Sequence, residues 1–150
     1  NVKGEVPEDP DYVIPLGKAE IKREGDHVTL ITHGKMVLVA QQVHEQLAKE
    51  GIRVEVIDLR TIRPMDVDTI TESVRKTNRA VVLEEGWELC GVGAQVVDYV
   101  QRHCFDHLDA PVLRVHQADT PMPYTKSLEK AAKPDGPKTI AAIKQVLYLD

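Results

Sequence analysis

The chain has 150 residues, of which 42% are hydrophobic and 29% are charged, and 24 acidic against 19 basic residues give a net charge of −5. This length corresponds to about one domain with a sizeable core, which argues against a disordered chain. The basic residues are scattered among acidic ones, and no apolar stretch approaches the ~20 residues that a membrane-spanning helix needs. We therefore expect a globular protein that binds neither nucleic acid nor membrane.

Residues 1–15 carry four acidic side chains and the prolines Pro7, Pro10 and Pro15. Proline removes a backbone donor and fixes φ, so this segment is predicted to be an extended linker that enters a domain at residues 16–150. The chain begins with neither a secretory signal nor an initiator Met. We expect a processed chain or a fragment, in which another domain precedes the linker.

A β-hairpin is predicted after the linker. Residues 19–23 alternate between apolar and polar side chains, residues 24–26 have turn chemistry, and residues 27–32 are rich in β-branched side chains. The first of the two strands is expected at the edge of the sheet.

The remaining pattern alternates helices and strands. A helix is predicted from Met36 to about Ala48 and ends at a left-handed Gly51, and a second helix begins at the N-cap Asp66 and ends near Thr77. Further strands are predicted at residues 54–59, 80–85 and 112–115, a further helix opens at residues 91–94, and a Pro-rich loop precedes a last helix at about residues 139–147. This order predicts an α/β fold, a three-layer sandwich whose sheet is mostly parallel with one antiparallel edge strand.

Residues 84–94 form the most distinctive loop. Gly91 and Gly93 could direct helix N-terminal amides at a phosphate, but Glu84, Glu85 and Glu88 would repel that anion, and a third glycine of a dinucleotide fingerprint is missing. We interpret the glycines as allowing close packing of helix on sheet. Glu84 and Glu85 do not form an acid/base pair, because neighbours on a strand point to opposite faces.

No other cluster supports catalysis or metal binding. His103 and His107 are spaced i, i+4 but lack the acidic residue of an H-E-x-x-H motif, so a structural or solvated role is favoured. Cys90 and Cys104 are expected to be free thiols of a reducing compartment. Trp87 is typical of an interface anchor. We therefore predict no catalytic, cofactor-binding or metal residue in this chain.

Four stretches carry a resemblance to a known family. They are Y-V-I-P-L-G-K-A at residues 12–19, V-I-D-L-R-T-I-R-P-M-D at 56–66, E-G-W with G-V-G-A at 85–87 and 91–94, and L-D-A-P with A-D-T-P-M-P-Y at 108–111 and 118–124. In this order they closely resemble the C-terminal domain of β subunits of the pyruvate dehydrogenase E1 component, within the transketolase C-terminal-domain superfamily. The resemblance covers nearly the whole chain.

The resemblance implies a largely parallel sheet with one antiparallel edge strand and a parent enzyme that is an α2β2 heterotetramer. That enzyme decarboxylates pyruvate with thiamine diphosphate and Mg²⁺ and transfers an acetyl group to lipoyl-E2. Its cofactor-binding groups belong to the E1 α subunit and to the β subunit's N-terminal domain. The piece alone is therefore expected to bind no cofactor and to be inactive. The implied location is the cytoplasm of a bacterium or an organelle matrix.

The implied partners are the E1 α subunit, a second E1 β subunit and the peripheral subunit-binding domain of the E2 acetyltransferase. Asp109 and Asp150 are implied to receive basic residues of E2, and the extended backbone before Pro111 is expected to leave the Asp109 carboxylate free for them. Subunit contacts are expected at Trp87. They are also expected at Met122 and Tyr124, in the loop at residues 118–124.

Two alternatives remain open. The same domain occurs in E1 β subunits of branched-chain 2-oxo acid and acetoin dehydrogenases. A stand-alone α/β protein that binds a small ligand at the Gly91 loop is the other.

Overall fold

The computed structural model describes residue 5 and residues 7–149. In these residues the elements are, in chain order, β1 (Glu20–Arg23), β2 (Val28–Thr32), α1 (Met36–Ala48), β3 (Val54–Asp58), α2 (Val67–Thr77), β4 (Ala80–Trp87), α3 (Val92–Cys104), a 3₁₀ turn (Phe105–His107), β5 (Leu113–Gln117), α4 (Lys126–Ala132) and α5 (Gly136–Val146). No helix in this part of the chain is long and apolar enough to cross a membrane. Residues 7–15 contain neither helix nor strand, and their role as a linker stays a prediction.

The five strands form one sheet in the order β1-β3-β2-β4-β5. Strands β3, β2, β4 and β5 are parallel, with Leu30 of β2 level with Val56 of β3 and Val81 of β4. Strand β1 is antiparallel and lies at the edge. The predicted fold class, a mostly parallel sheet with one antiparallel edge strand, is confirmed.

The predicted hairpin between the first two strands is wrong. β1 pairs with β3, and its Ile21 is level with Ile57. All five residues of β2 are buried, so this strand needs neighbours on both sides, whereas β1 alternates between half-buried and exposed residues, as an edge strand does. The connection passes so close to the start of β3 that a Cβ on Gly25 would overlap the Glu55 backbone nitrogen.

Helices cover both faces of the sheet. Leu30, Val56 and Leu83 pack in a core with α1 and α5, while their neighbours Ile31 and Val82 pack in a second core with α2 and α3. This alternation follows from the two-residue period of a strand.

The helix boundaries agree with the local sequence. Asp66 is the N-cap of α2 and accepts a hydrogen bond from Thr69 N at 3.3 Å, as predicted. Gly51 has a φ of +79°, and Ile52 N donates to Leu47 O at 3.0 Å, which closes the end of α1 as predicted. Helix α4 was not predicted, because it has seven residues and buries only Ala132.

Candidate functional site

Exposed apolar side chains follow the carboxyl ends of β4 and β5. Strand β4 continues beyond the predicted residue 85 to Trp87, whose side chain is 51% exposed. With the Gln117 amide oriented to satisfy its hydrogen bonds, its oxygen accepts from Trp87 Nε1 at 2.8 Å, which fixes one edge of the indole. The loop after β5 carries Met122, which is partly exposed, and Tyr124, which is fully exposed. We call Trp87, Leu89, Met122 and Tyr124 the apolar edge.

A buried ion pair lies beneath this edge. The Glu84 side chain is 1% exposed, and its Oε1 lies 2.9 Å from Arg114 Nη2. The same oxygen accepts a hydrogen bond from Gly93 N at 3.0 Å, in the first turn of α3. Arg114 also donates to Glu88 O at 2.8 Å. Glu84 therefore supplies the negative charge that a helix N-terminus favours, and Arg114 connects the loop before α3 to β5.

The two glycines of the loop accommodate this ion pair. A Cβ on Gly91 would lie 2.7 Å from Glu84 Oε1 and 3.0 Å from Arg114 Nη2, and a Cβ on Gly93 would overlap Glu84 Oε1. The interpretation that the glycines permit close packing is confirmed. The N-terminus of α3 does not fit a diphosphate, because the buried carboxylate of Glu84 already accepts the Gly93 amide there and would repel a second anion.

Glu84 and Glu85 point to opposite faces, as predicted. Glu84 faces α3, whereas Glu85 Oε1 lies 3.8 Å from Lys133 Nζ at the end of α4. The two carboxylates therefore do not share a site. Within residue 5 and residues 7–149, no group of three or more His, Cys, Asp and Glu side chains is arranged to hold a metal ion.

Asp109 lies at the opposite end of the parallel strands, four residues before β5 begins. Its backbone N–H donates to Asn78 O at 2.9 Å, and its backbone O accepts from Tyr148 Oη at 3.0 Å. Its carboxylate Oδ2 lies 3.0 Å from Arg79 Nη2, and the side chain is 49% exposed. We call Asn78, Arg79, Asp109 and Tyr148 the docking corner.

The expectation that the Asp109 carboxylate is unpaired is wrong. The turn at Asn78, with a φ of +61°, places Arg79 at the start of β4 beside the segment that leads into β5. Sequence reasoning missed Arg79 and Tyr148, because nothing in the spacing of residues 79, 109 and 148 couples them. Asp150, the second predicted docking residue, lies outside the described residues, two positions beyond Tyr148.

The predicted partner-binding residues therefore form two surfaces. The docking corner lies beside the start of β4 and the apolar edge at its end, and eight residues of strand separate them by roughly 25 Å.

The motif at residues 56–66 has a structural role. Asp66 Oδ2 accepts from Ala19 N at 3.0 Å, and Thr61 Oγ1 accepts from Gly17 N at 3.0 Å, so the motif fixes the chain just before β1. Burial raises the pKa of the Asp66 carboxyl, but hydrogen bonds from Ala19 and Thr69 outweigh it and hold the pKa below its usual range. This explains why the first two recognisable stretches occur together.

Comparison with known proteins identifies the family. A family model described as transketolase, C-terminal domain, matches residues 17–139. The mitochondrial pyruvate dehydrogenase E1 component subunit beta of Dictyostelium discoideum is 46% identical over 139 residues, which cover 93% of this chain and 39% of that protein. The corresponding subunit of Rickettsia bellii is 48% identical over 91% of this chain and 42% of that protein, and the mitochondrial subunit of Bos taurus is 48% identical over 93% and 39%. The chain thus spans about two fifths of these curated relatives.

Solved structures show the same fold. A structure described as a split gene transketolase, inactive beta4 tetramer, superposes with a TM-score of 0.80 at 27% identity and covers 96% of this chain and 46% of that one. A 2-oxoglutarate:ferredoxin oxidoreductase from Magnetococcus marinus superposes with a TM-score of 0.58 at 13% identity over 87% of this chain and 19% of that one, which shows a shared fold alone. From the family match and this sheet topology, we conclude that the chain belongs to the transketolase C-terminal domain family.

Proposed function

We propose that the chain is the C-terminal domain of the β subunit of the E1 component of a pyruvate dehydrogenase complex. The observation that carries this proposal is an identity of 46–48% over more than nine tenths of the chain to relatives of that name. The parent enzyme would decarboxylate pyruvate and transfer the acetyl group to lipoyl-E2. This domain would serve subunit assembly and E2 docking.

The parent enzyme would use thiamine diphosphate and Mg²⁺, held outside this chain. The α3 N-terminus, where a diphosphate would be sought, is filled by Glu84 and Arg114. Because Glu84 and Arg114 occupy this position, a stand-alone protein that binds a small ligand at the Gly91 loop is disfavoured. The inactivity of the isolated domain stays a prediction.

The docking corner would bind the peripheral subunit-binding domain of E2. Asp109 presents a half-exposed carboxylate on a fixed backbone, and Tyr148 brings the C-terminal end of the chain beside it. Carboxylates held in this way can accept the two parallel hydrogen bonds of an arginine. Asp150, which lies outside the described residues, is the second residue proposed to receive a basic group of E2.

The test is a calorimetric titration of the chain with the E2 peripheral subunit-binding domain. Asp109→Asn should raise Kd at least tenfold, since truncating one partner of an interfacial charge pair costs ~2 to 5 kcal/mol. Asp98→Asn is the matched control, because it removes the same charge from the exposed Asp98–Arg102 pair on α3. Equal affinities for Asp109→Asn and the parent chain would contradict the docking role.

The apolar edge would form subunit contacts with the E1 α subunit or a second E1 β subunit. Monomeric proteins rarely leave large apolar patches exposed, and Trp87, Leu89 and Tyr124 are all at least half exposed. The split transketolase, 27% identical, is described as a tetramer of its β chain, which supports self-assembly for this family.

The relatives at 46–48% identity favour pyruvate over branched-chain 2-oxo acids or acetoin as the parent's substrate, since they are named pyruvate dehydrogenase subunits. They are bacterial or mitochondrial proteins. The proposed location is accordingly the bacterial cytoplasm or the mitochondrial matrix.

A further inference from the structure

We propose that Arg79 is an internal competitor for the Asp109 carboxylate and thereby lowers the affinity of the docking corner for a basic partner. This inference rests on the docking function proposed above. It assigns to Arg79 a role in setting how strongly a partner's guanidinium or ammonium group is held.

The position of Asp109 does not depend on Arg79. The backbone of Asp109 is held on one side by its N–H bond to Asn78 O at 2.9 Å and on the other by the Tyr148 hydroxyl at 3.0 Å. These two bonds come from different segments of the chain. Removing the Arg79 side chain would leave both of them in place.

Arg79 instead occupies part of the carboxylate. Its Nη2 lies 3.0 Å from Oδ2 of Asp109 and forms an ion pair with it. An incoming arginine binds a carboxylate most strongly when it reaches both oxygens in parallel. Arg79 crowds one of these oxygens and adds a positive charge that repels the incoming cation.

The guanidinium of Arg79 is also able to leave. Its side chain is 26% exposed and that of Asp109 is 49% exposed, and ion pairs of this exposure contribute little to stability. The Nε of Arg79 is buried without a hydrogen-bond partner among the described residues, and its guanidinium is held there by the ion pair with Asp109. A partner that binds Asp109 must therefore displace Arg79 or share the carboxylate with it.

The experiment is a calorimetric titration of Arg79→Met with the E2 peripheral subunit-binding domain. Methionine retains the apolar stem and removes the charge. We expect Kd to fall at least threefold, and Arg79→Lys, which restores a cation, should bind like the parent chain. Arg102→Met is the matched control, because it removes one charge from the exposed Asp98–Arg102 pair, and its Kd should stay within twofold of the parent's.

Unchanged or weaker binding by Arg79→Met overturns the inference. A partly misfolded variant would lose affinity, so tighter binding cannot arise from damage to the fold. The gain should also vanish when Arg79→Met is combined with Asp109→Asn, and a gain that persists in this double variant counts against competition at Asp109. If Asp109→Asn alone leaves Kd unchanged, the docking function itself fails. If that variant weakens binding while Arg79→Met does not tighten it, the docking function stands and only the competition fails.

Discussion

Glu84 Oε1 on β4 and Arg114 Nη2 on β5 lie 2.9 Å apart on the sheet face that α3 covers. The carboxylate is almost fully buried and also accepts the Gly93 amide, so one side chain neutralises both the guanidinium and the amino end of α3. The loop between β4 and α3 is therefore shaped by an internal anion. The apolar edge, which includes Trp87, is built on top of this pair.

Arg114→Met should destabilise the fold by about 2–4 kcal/mol, because breaking a buried pair leaves an uncompensated charge on Glu84. The measurement is urea unfolding followed by circular dichroism at neutral pH. The control is Arg102→Met, which breaks an exposed pair and should change the free energy of unfolding by less than about 1 kcal/mol. Equal stabilities of the two variants would show that the buried pair contributes nothing.

Gly93→Ala should cost about 1–3 kcal/mol, since the added methyl group overlaps Glu84 Oε1 and would lie 3.0 Å from Arg114 Nε. Gly136→Ala is the control at the start of α5, where the nearest atom to the new Cβ, apart from its chain neighbours, is Val43 Cγ2 at 3.9 Å. That substitution should cost less than Gly93→Ala, because the strain it adds is only that of a β-carbon on the residue before Pro137. The measurement is the free energy of unfolding of both variants in urea. A Gly93→Ala variant as stable as the parent would contradict the packing role of Gly93.

The sequence was sufficient for features that depend on local periodicity. The cap at Asp66, the end of α1 at Gly51 and the opposite directions of Glu84 and Glu85 all follow from residue type and spacing within one element, and the structure confirms them. The edge position of β1 follows from its alternating pattern as well.

Pairing between distant segments could not be predicted in this way. The periodicity of β1 shows that one of its faces is buried, but it does not show which strand lies beside it. A hairpin of β1 with β2 was therefore expected, whereas β1 pairs with β3. Arg114 and Arg79 each meet a carboxylate 30 residues away, and no local signal distinguishes them from solvated arginines. The family resemblance indicated Asp109 but gave no information about its internal partner.

Asp66→Asn should lower the free energy of unfolding at neutral pH. It should also make the further loss of stability on acidification smaller than in the parent chain. The folded-state pKa of Asp66 lies below its usual value, so the ionised carboxylate stabilises the fold above about pH 4 and this contribution is lost as the pH falls through the folded pKa. Asparagine retains an acceptor for Thr69 N but carries no charge. We expect a deficit of about 1–2 kcal/mol at pH 7 that narrows toward pH 3, because the amide NH2 group cannot accept from Ala19 N as the second carboxylate oxygen does. Urea unfolding across this range is the measurement, and a deficit that does not change with pH would contradict the assignment.

Trp87→Ala should weaken self-association of the chain. An aromatic side chain that is 51% exposed at the end of an interior strand, with its indole N–H bonded to Gln117, has the features expected of the proposed interface anchor. Removing it should cost about 2 kcal/mol or more, which corresponds to roughly a thirtyfold rise in the dimer dissociation constant.

Sedimentation equilibrium over a range of concentrations measures this constant for the parent chain and for the variant. Phe105→Ala is the control, because Phe105 is also exposed but lies at the other end of α3, away from the apolar edge. Its dissociation constant should equal that of the parent. A parent chain that stays monomeric at every concentration, or a Phe105→Ala variant that dissociates as strongly as Trp87→Ala, would show that the apolar edge is not the surface through which copies of this chain associate.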